Sequence, residues 1–463
     1  MLTVGLFMAF TIPAFGAVGG ADVKFSGSYY AIGVYEDNHS LKDSGKYSTG
    51  YNAATGTGSS AFYAQRLRLQ TEFKIDEGLS FVTRIDALEK KWGDQTWAGS
   101  TLYDVDNRPS SGATNVRTQE NIEFVRAYVD FTTAYGRFNV GYQNFIAWGT
   151  LFGDTFITRP GIKYFLPVGP LTVVAAIEKV AEKGSFKYGS SAEQGKFNDV
   201  DYNIYDLGGI YKWQGGEAGL MVQYARNATN RTAASPFVTT ITVFDPYVKA
   251  TFGKFYLEAE AAYLTGDAKK YDENVTPVPS TVTVEALGVY LHGKLDLAPA
   301  YVGFQFAWIR GDDPDTTDKV EGGMMSQLLA GQAFNPCLIL WNDDITTWNN
   351  DYYGHAGTAV NTFMDNVWFY QIYGGFKPTP KLDVMASFTM ANADKKPKVA
   401  GVSYVSDAYG TEFDLTATYK IFGNLDYMVG GAYLWTGDYF KGTSATNTIA
   451  NDYLLFHKLT LSF

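Results

Sequence analysis

Residues 63–75 read YAQRLRLQTEFKI, and their order puts two different solvents on the two sides of one extended segment. Tyr63, Leu67, Leu69, Phe73 and Ile75 share one parity, while Arg66, Arg68, Gln70, Glu72 and Lys74 share the other. A strand sends successive side chains to opposite faces, so one face here is apolar and the other charged. A strand in a soluble sandwich alternates in the same way, but its apolar face must then be covered by a second sheet.

Composition narrows the choice. The 463 residues are 46% apolar and 16% aromatic, with 48 glycines, 33 tyrosines and 32 phenylalanines. Mean hydropathy is −0.14, which excludes a helical membrane protein. The one long apolar run, MLTVGLFMAFTIPAFGA at 1–17, falls about one residue short of the roughly 18 needed to span as a helix. With small-x-small sites at Ala14-Phe15-Gly16 and ending at Ala21, residues 1–20 read as a signal-peptide-like segment, although the first cation is Lys24. A net charge of −11 argues against a nucleic-acid partner. The single cysteine, Cys337, excludes an internal disulfide framework and a Cys-rich metal site.

Beyond residue 21 the chain repeats one unit, an alternating segment followed by a turn. Short turns fall at 76–78, 134–136, 167–170, 214–217, 253–254, 296–299, 379–381 and 422–424, each with Gly, Pro, Asn or Asp chemistry. Long polar connections lie between them, the longest at about 312–365. Eight tight turns imply nine long-loop hairpins and about 18 strands, with 16 to 18 as the range, and an even number suits a closed barrel. That many strands with charge on one parity leave a sandwich nowhere to hide it. A closed barrel in lipid satisfies every backbone group and has no edge. Residues 21–463 are therefore expected to form one transmembrane antiparallel β-barrel of the outer-membrane type, with short periplasmic turns and long extracellular loops. Tyr135, Phe138, Trp213, Phe252, Phe255, Phe422 and Tyr427 near the short turns, and Trp148, Trp308, Trp368 and Trp435 near the long loops, read as two interfacial girdles.

The last segment alternates in the same sense. Tyr453, Leu455, Leu459, Leu461 and Phe463 face lipid, Lys458, Thr460 and Ser462 face inward, and His457 breaks the pattern on the outward side. The terminal Phe463 with this alternation resembles the C-terminal signature of Gram-negative outer-membrane barrels.

The alternation aims Arg66, Arg68, Arg84, Arg126 and Arg137 into the barrel, with Glu72, Asp86 and Asp130 among them. Guanidiniums keep their charge at any relevant pH, so this row is expected to form one wall of a charged constriction. After the fifth strand comes WGTLFGDTF at 148–156, and before it GRFNVGYQNF. Here the chain resembles the general porins of Gram-negative bacteria, trimeric β-barrels whose third loop follows the fifth strand, carries a Phe-Gly-Gly-Asp-like motif and folds inward against an arginine cluster. The resemblance implies that Phe152-Gly153-Asp154 belongs to such a loop, with Asp154 as its acid.

A second acidic wall is offered by GDDPDTTDKVEGG, with Asp312, Asp313 and Asp315 at its head; the spacing fits no EF-hand. The stretch then turns apolar through MMSQLLAG and CLILW, which suits a loop folded into the lumen or over the mouth better than a bare surface loop. On strand one, Gly27, Ala31 and Gly33 are small where lipid calls for bulk, and with His457 they mark a patch better placed against protein. The family resemblance implies a homotrimer closed through this region.

Catalysis has little support. Of the four histidines, His39 and His355 lie in loops and His292 has no Ser or acid placed beside it in sequence to suggest a triad, and neither Gly-x-Ser-x-Gly nor His-Glu-x-x-His occurs. His292 is expected to line the lumen near the short-turn rim. The expectation is an outer-membrane porin without cofactor, passing small hydrophilic solutes and ions by diffusion. The alternatives are a sugar- or anion-selective channel, with inward Tyr30, Tyr128 and Tyr256 as an aromatic track, or a barrel enclosing a partner protein.

Overall fold

The computed structural model describes residues 22–42, 59–92, 122–145, 147–154, 157–183, 200–232, 236–272, 280–323, 333–349, 352–355, 358–360 and 363–463. The signal-like segment 1–20 and the apolar run 324–331 lie outside them.

Eighteen strands close into a ring. In chain order they are β1 Asp22–Glu36, β2 Ser60–Asp76, β3 Leu79–Lys91, β4 Ile122–Thr133, β5 Gly136–Asn144, β6 Thr158–Val168, β7 Leu171–Ala181, β8 Tyr202–Trp213 and β9 Gly216–Asn227. They continue as β10 Phe237–Phe252, β11 Phe255–Tyr271, β12 Thr281–Leu297, β13 Ala300–Ile309, β14 Val367–Thr379, β15 Leu382–Asn392, β16 Ala408–Phe422, β17 Leu425–Thr436 and β18 Asp452–Ser462. Each pairs antiparallel with its chain neighbour, and β1 pairs β18 from Ser28↔Ser462 to Glu36↔Leu454. Phe463 extends that seam, exchanging backbone hydrogen bonds of 2.7 and 3.0 Å with Gly27. A two-residue strand, Lys319–Val320, adds in parallel to the long-loop end of β12.

All eight expected turns join adjacent strands, and the strand ends that the long connections join lie at the opposite rim. Gly78 shows why the turn residues matter. Its φ of +74° lies in the left-handed region that a side chain disfavours.

Register carries the parity of β2 around the ring. Tyr30 opposes Arg66, Arg68 opposes Asp86, and Arg84 opposes Arg126. These residues share the inner face with Glu36, Glu412 and Lys458, all of which touch chain folded inside the barrel. The opposite parity shows Phe25, Tyr63, Phe124, Leu207, Ile372 and Leu455 to the outside. With lipid as the outer solvent, that exposure is the expected one.

Candidate functional site

Among the described residues, two connections leave the rim and enter the lumen. The first, between β5 and β6, reaches the inner faces of β10 to β12. Trp148 donates its indole N–H to the Asp245 carbonyl at 3.0 Å and packs edge-on against Tyr247. Thr150 N–H donates to Glu260, and a Cβ on Gly149 or Gly153 would run into the Glu260 carboxyl, so only glycine lets the loop lie this close. Phe152 stacks on Tyr290 at 5.2 Å. Trp148 therefore belongs to this inward loop, where burial and a buried acceptor outweigh the interfacial role expected for it. Trp213 and Trp435 do face outward, and Trp308 and Trp368 stack at 5.3 Å while both donate to Asp394.

The second is the segment 333–349 of the longest connection. It meets the first loop through Ala333 N–H to the Asp154 carbonyl (3.2 Å) and a Phe152–Phe334 ring contact. Gln371 of β14 then donates to the Pro336 carbonyl at 2.6 Å. Next comes the strongest anchor. Fully buried Glu412 of β16 accepts the N–H groups of Leu338 (3.0 Å) and Ile339 (2.7 Å) on one oxygen and of Leu340 (2.9 Å) on the other. The apolar CLILW stretch packs beneath, with Ile339, Leu340 and Trp341 buried against wall residues such as Phe369 and Leu434.

A short helix, α1 (Asp343–Asn349), follows, with Asn342 accepting the Ile345 N–H at 3.1 Å and so acting as its N-cap. Its far end is tied to β1 through Asn349 and Glu36. Its first turn carries Asp343 and Asp344, and Asp344 lies 3.3 Å from Lys458 of β18.

Asp343 and Asp344 are thus the acids brought to the arginine row. Lys458 and Arg66 both stand over the ring of Tyr30, at 4.8 and 5.1 Å from its centroid. Arg66 also pairs with Glu89 at 3.2 Å. Arg68 holds Asp86 through two bonds of 2.7 and 2.6 Å, and Arg84 approaches the same carboxylate at 4.0 Å. Arg126 opposes Arg84 across β3 and β4. Burial, with Asp344 as the next contribution, pushes the Asp343 carboxyl up to about 6 against the pull of Arg66. Burial likewise raises Asp154 to about 6, although the Trp148 N–H donates to it.

The remaining expected site residues lie elsewhere. Arg137 and Asp130 pair with each other (Nε to Oδ1 2.8 Å) toward the short-turn rim, and Glu72 accepts the Ser80 hydroxyl at 3.2 Å. Asp154 sits in the first inward loop beside Glu260 and Asp245. Asp312, Asp313 and Asp315 are not brought to the arginine row. Asp312 accepts the Glu321 N–H at 2.7 Å, Asp313 lies 3.7 Å from Lys395, and Asp315 pairs with Lys398. They brace one outer connection against the next.

Among the described residues, Cys337, Glu412 and Asp414 bring three metal-type donors together. Glu412 is taken by the three N–H groups and Asp414 accepts the Ser387 hydroxyl at 2.9 Å, so the cluster serves to seat the loop.

No protein-family model matches the chain, and no curated protein matches it. Among solved structures, it is similar to Pseudomonas aeruginosa OccK9 (OpdG), at 12% identity over 96% of this chain and 99% of that one, with a TM-score of 0.49. It is also similar to a loop-deletion mutant of OmpT, an outer membrane protein of Vibrio cholerae, at 12% identity over 95% and 99% of the two chains, TM-score 0.40. A porin refined at 1.8 Å resolution matches at 11% identity over 96% and 100%, TM-score 0.41.

Proposed function

We propose that the protein is a porin of the Gram-negative outer membrane, a passive channel for small hydrophilic solutes and ions with a charged constriction. The observation that carries this is the arginine row Arg66, Arg68, Arg84 and Arg126 on the inner wall, with Asp343 and Asp344, on chain folded into the lumen, brought to its Arg66 and Lys458 end. Opposite rows of charge set up a transverse field, which sorts solutes by charge and dipole as they pass. The same geometry makes conduction sensitive to pH. With its carboxyl raised to about 6, Asp343 is charged above that value and neutral below it. Protonation removes a negative charge facing Arg66, Asp344 and Glu89. The linkage has the same sign: a raised carboxyl seats the loop more firmly as pH falls from about 6 toward the unfolded value near 3.8. Stepwise conductance in planar bilayers is expected, with selectivity moving toward anions between pH 7.5 and pH 5, and Asp343→Asn reducing that movement while Asp154 supplies the remainder. Folded, heat-modifiable protein that never conducts would favour the barrel as a sheath around a partner.

The channel assembles as a homotrimer in this reading. Support comes from the outer face of β1 and β18, where a Cβ on Gly33 would lie 2.5 Å from His457 Nε2. Gly33, Tyr63 and His457 line a groove of about 370 Å³ there. An imidazole facing lipid near mid-strand is costly, and a neighbouring protomer relieves that cost. Chemical crosslinking in mild detergent is expected to trap trimers of the wild type and far fewer of Gly33→Leu; a wild type that stays monomeric would refute the assembly.

A further inference from the structure

We propose that the short-turn half of the lumen contains a dwell site for a neutral pyranose sugar, with the ring of Tyr373 as its platform; this rests on the channel reading above. Tyr301 and Tyr373 lie on the inner faces of β13 and β14, and each opposes a glycine across the ladder: Tyr301↔Gly375 and Gly303↔Tyr373. A Cβ on either glycine would collide with the facing tyrosine ring. Each ring therefore lies over its facing glycine, the two ring planes inclined at 63°, and no larger residue at 303 or 375 permits that approach. A ring so placed offers its apolar face to the lumen, and a pyranose has a matching face of C–H groups bordered by hydroxyls.

The border of the site is built to hydrogen-bond hydroxyls. His292 lies 2.7 Å from the Tyr373 hydroxyl through Nε2 and 3.1 Å from Glu258 through Nδ1. Gln305 donates to Gln371 at 2.8 Å and lies 3.1 Å from the Tyr290 hydroxyl. Ala333 to Pro336 and Leu151 of the two inward loops roof the recess, whose volume is about 440 Å³. That falls within the roughly 300–1,000 Å³ of small-molecule sites.

Charge decides between a neutral sugar and a sugar acid. Lys294 and Lys377 stand 4.7 and 5.6 Å from the Tyr301 centroid. Lys294 pairs with Asp296 at 3.9 Å and Lys377 with Asp383 at 3.6 Å, and Glu258 adds a third carboxyl. Asp296 lies outside the recess, whose own lining sets two ammoniums, Lys294 and Lys377, against two carboxyls, Glu258 and Asp383, so an anion meets no net positive charge, whereas their N–H and oxygen atoms suit hydroxyls.

Current-noise analysis of the full chain in planar bilayers tests this with D-glucose and D-glucuronate. D-glucose is expected to interrupt the current in a concentration-dependent way, and D-glucuronate to do so no more strongly. Tyr373→Ala should raise the half-blocking concentration about tenfold. Gly303→Ala keeps the ring but tilts it off the wall, and is expected to act in the same direction. A conducting channel blind to glucose overturns the site, as does block that is equal in the wild type and both variants, or stronger block by glucuronate. Equilibrium binding of D-glucose to the detergent-solubilised barrel reads the site without conduction, so a silent channel that still binds glucose counts against the channel alone, and the absence of both counts against the site as well.

Discussion

Replacing Arg66, Arg68 and Arg126 together by glutamine is expected to shift the reversal potential across a salt gradient toward cations, changing the cation-to-anion permeability ratio by about tenfold. In the wild type these guanidiniums share the inner wall with Asp86, Glu89 and the Asp343–Asp344 turn, and Arg68 alone makes two bonds to Asp86. Removing three cations leaves the acids in place, so the local sign of the potential reverses. A unit charge a few ångströms away contributes about 1 kcal/mol in water-like surroundings, and salt in the lumen screens part of it. Glutamine is shorter but keeps a polar, hydrogen-bonding head, and the backbone ladders that close the barrel do not depend on these side chains. Heat-modifiable migration on a gel checks that the variant is folded. An unchanged reversal potential from a folded triple variant would remove the charged constriction from the account.

The wall of this molecule is legible in its sequence because lipid leaves a strand little choice. Period-two alternation in β2 places Arg66 and Arg68 opposite Leu67 and Leu69 in character, and a slip of one residue would put guanidiniums into hydrocarbon. The turns are legible for a similar reason, since at positions such as Gly78 the chain must reverse in a few residues with a backbone conformation few side chains accept. From those two signals a count of 16 to 18 strands and their order follow, and the folded ring has eighteen.

The interior is less legible, because which loop meets which wall is settled by tertiary docking. The run at Asp312, Asp313 and Asp315 has the composition of a counter-wall, yet Lys395 and Lys398 of the next connection capture it. Asp343 and Asp344 look unremarkable as a pair. Their signal is positional: an Asn342 cap followed by two acids opens a helix directly after an apolar stretch that needs burial. Glu36 and Glu412 sit on inward parity among many other polar residues, and nothing local distinguishes a carboxyl that seats a loop from one that meets water. Residues 148–154 are the exception, because their glycines and aromatics carry a recognisable shape, and they do enter the lumen at Glu260 and Tyr290.

Glu412→Ala is expected to produce the largest change in conductance of any single substitution in the barrel. Its carboxyl receives three consecutive backbone N–H groups, from Leu338, Ile339 and Leu340. Without it those donors lose their partner in a site closed to water, at about 1–3 kcal/mol for each group left unsatisfied. The remaining ties are single contacts spread along the segment: Ala333 N–H to the Asp154 carbonyl, Gln371 to the Pro336 carbonyl, Cys337 to the Thr389 hydroxyl, Asn349 to Glu36, and Lys458 to Asp344, the last partly exposed and screened. Segment 333–349 should therefore leave its seat for much of the time. Single-channel conductance is expected to rise about twofold with frequent transitions between levels, and a protease added from the long-loop side should cut within 333–349 in the variant but not in the wild type. Glu412→Gln gives the graded case. Its one remaining carbonyl oxygen can still receive the Leu338 and Ile339 donors, while its amide meets the Leu340 N–H donor to donor, so its conductance and cleavage should fall between those of the wild type and the alanine variant. If the alanine variant conducts in a single steady level and resists the protease, the loop is held by its apolar packing around Ile339, Leu340 and Trp341, and the buried carboxyl is not its anchor.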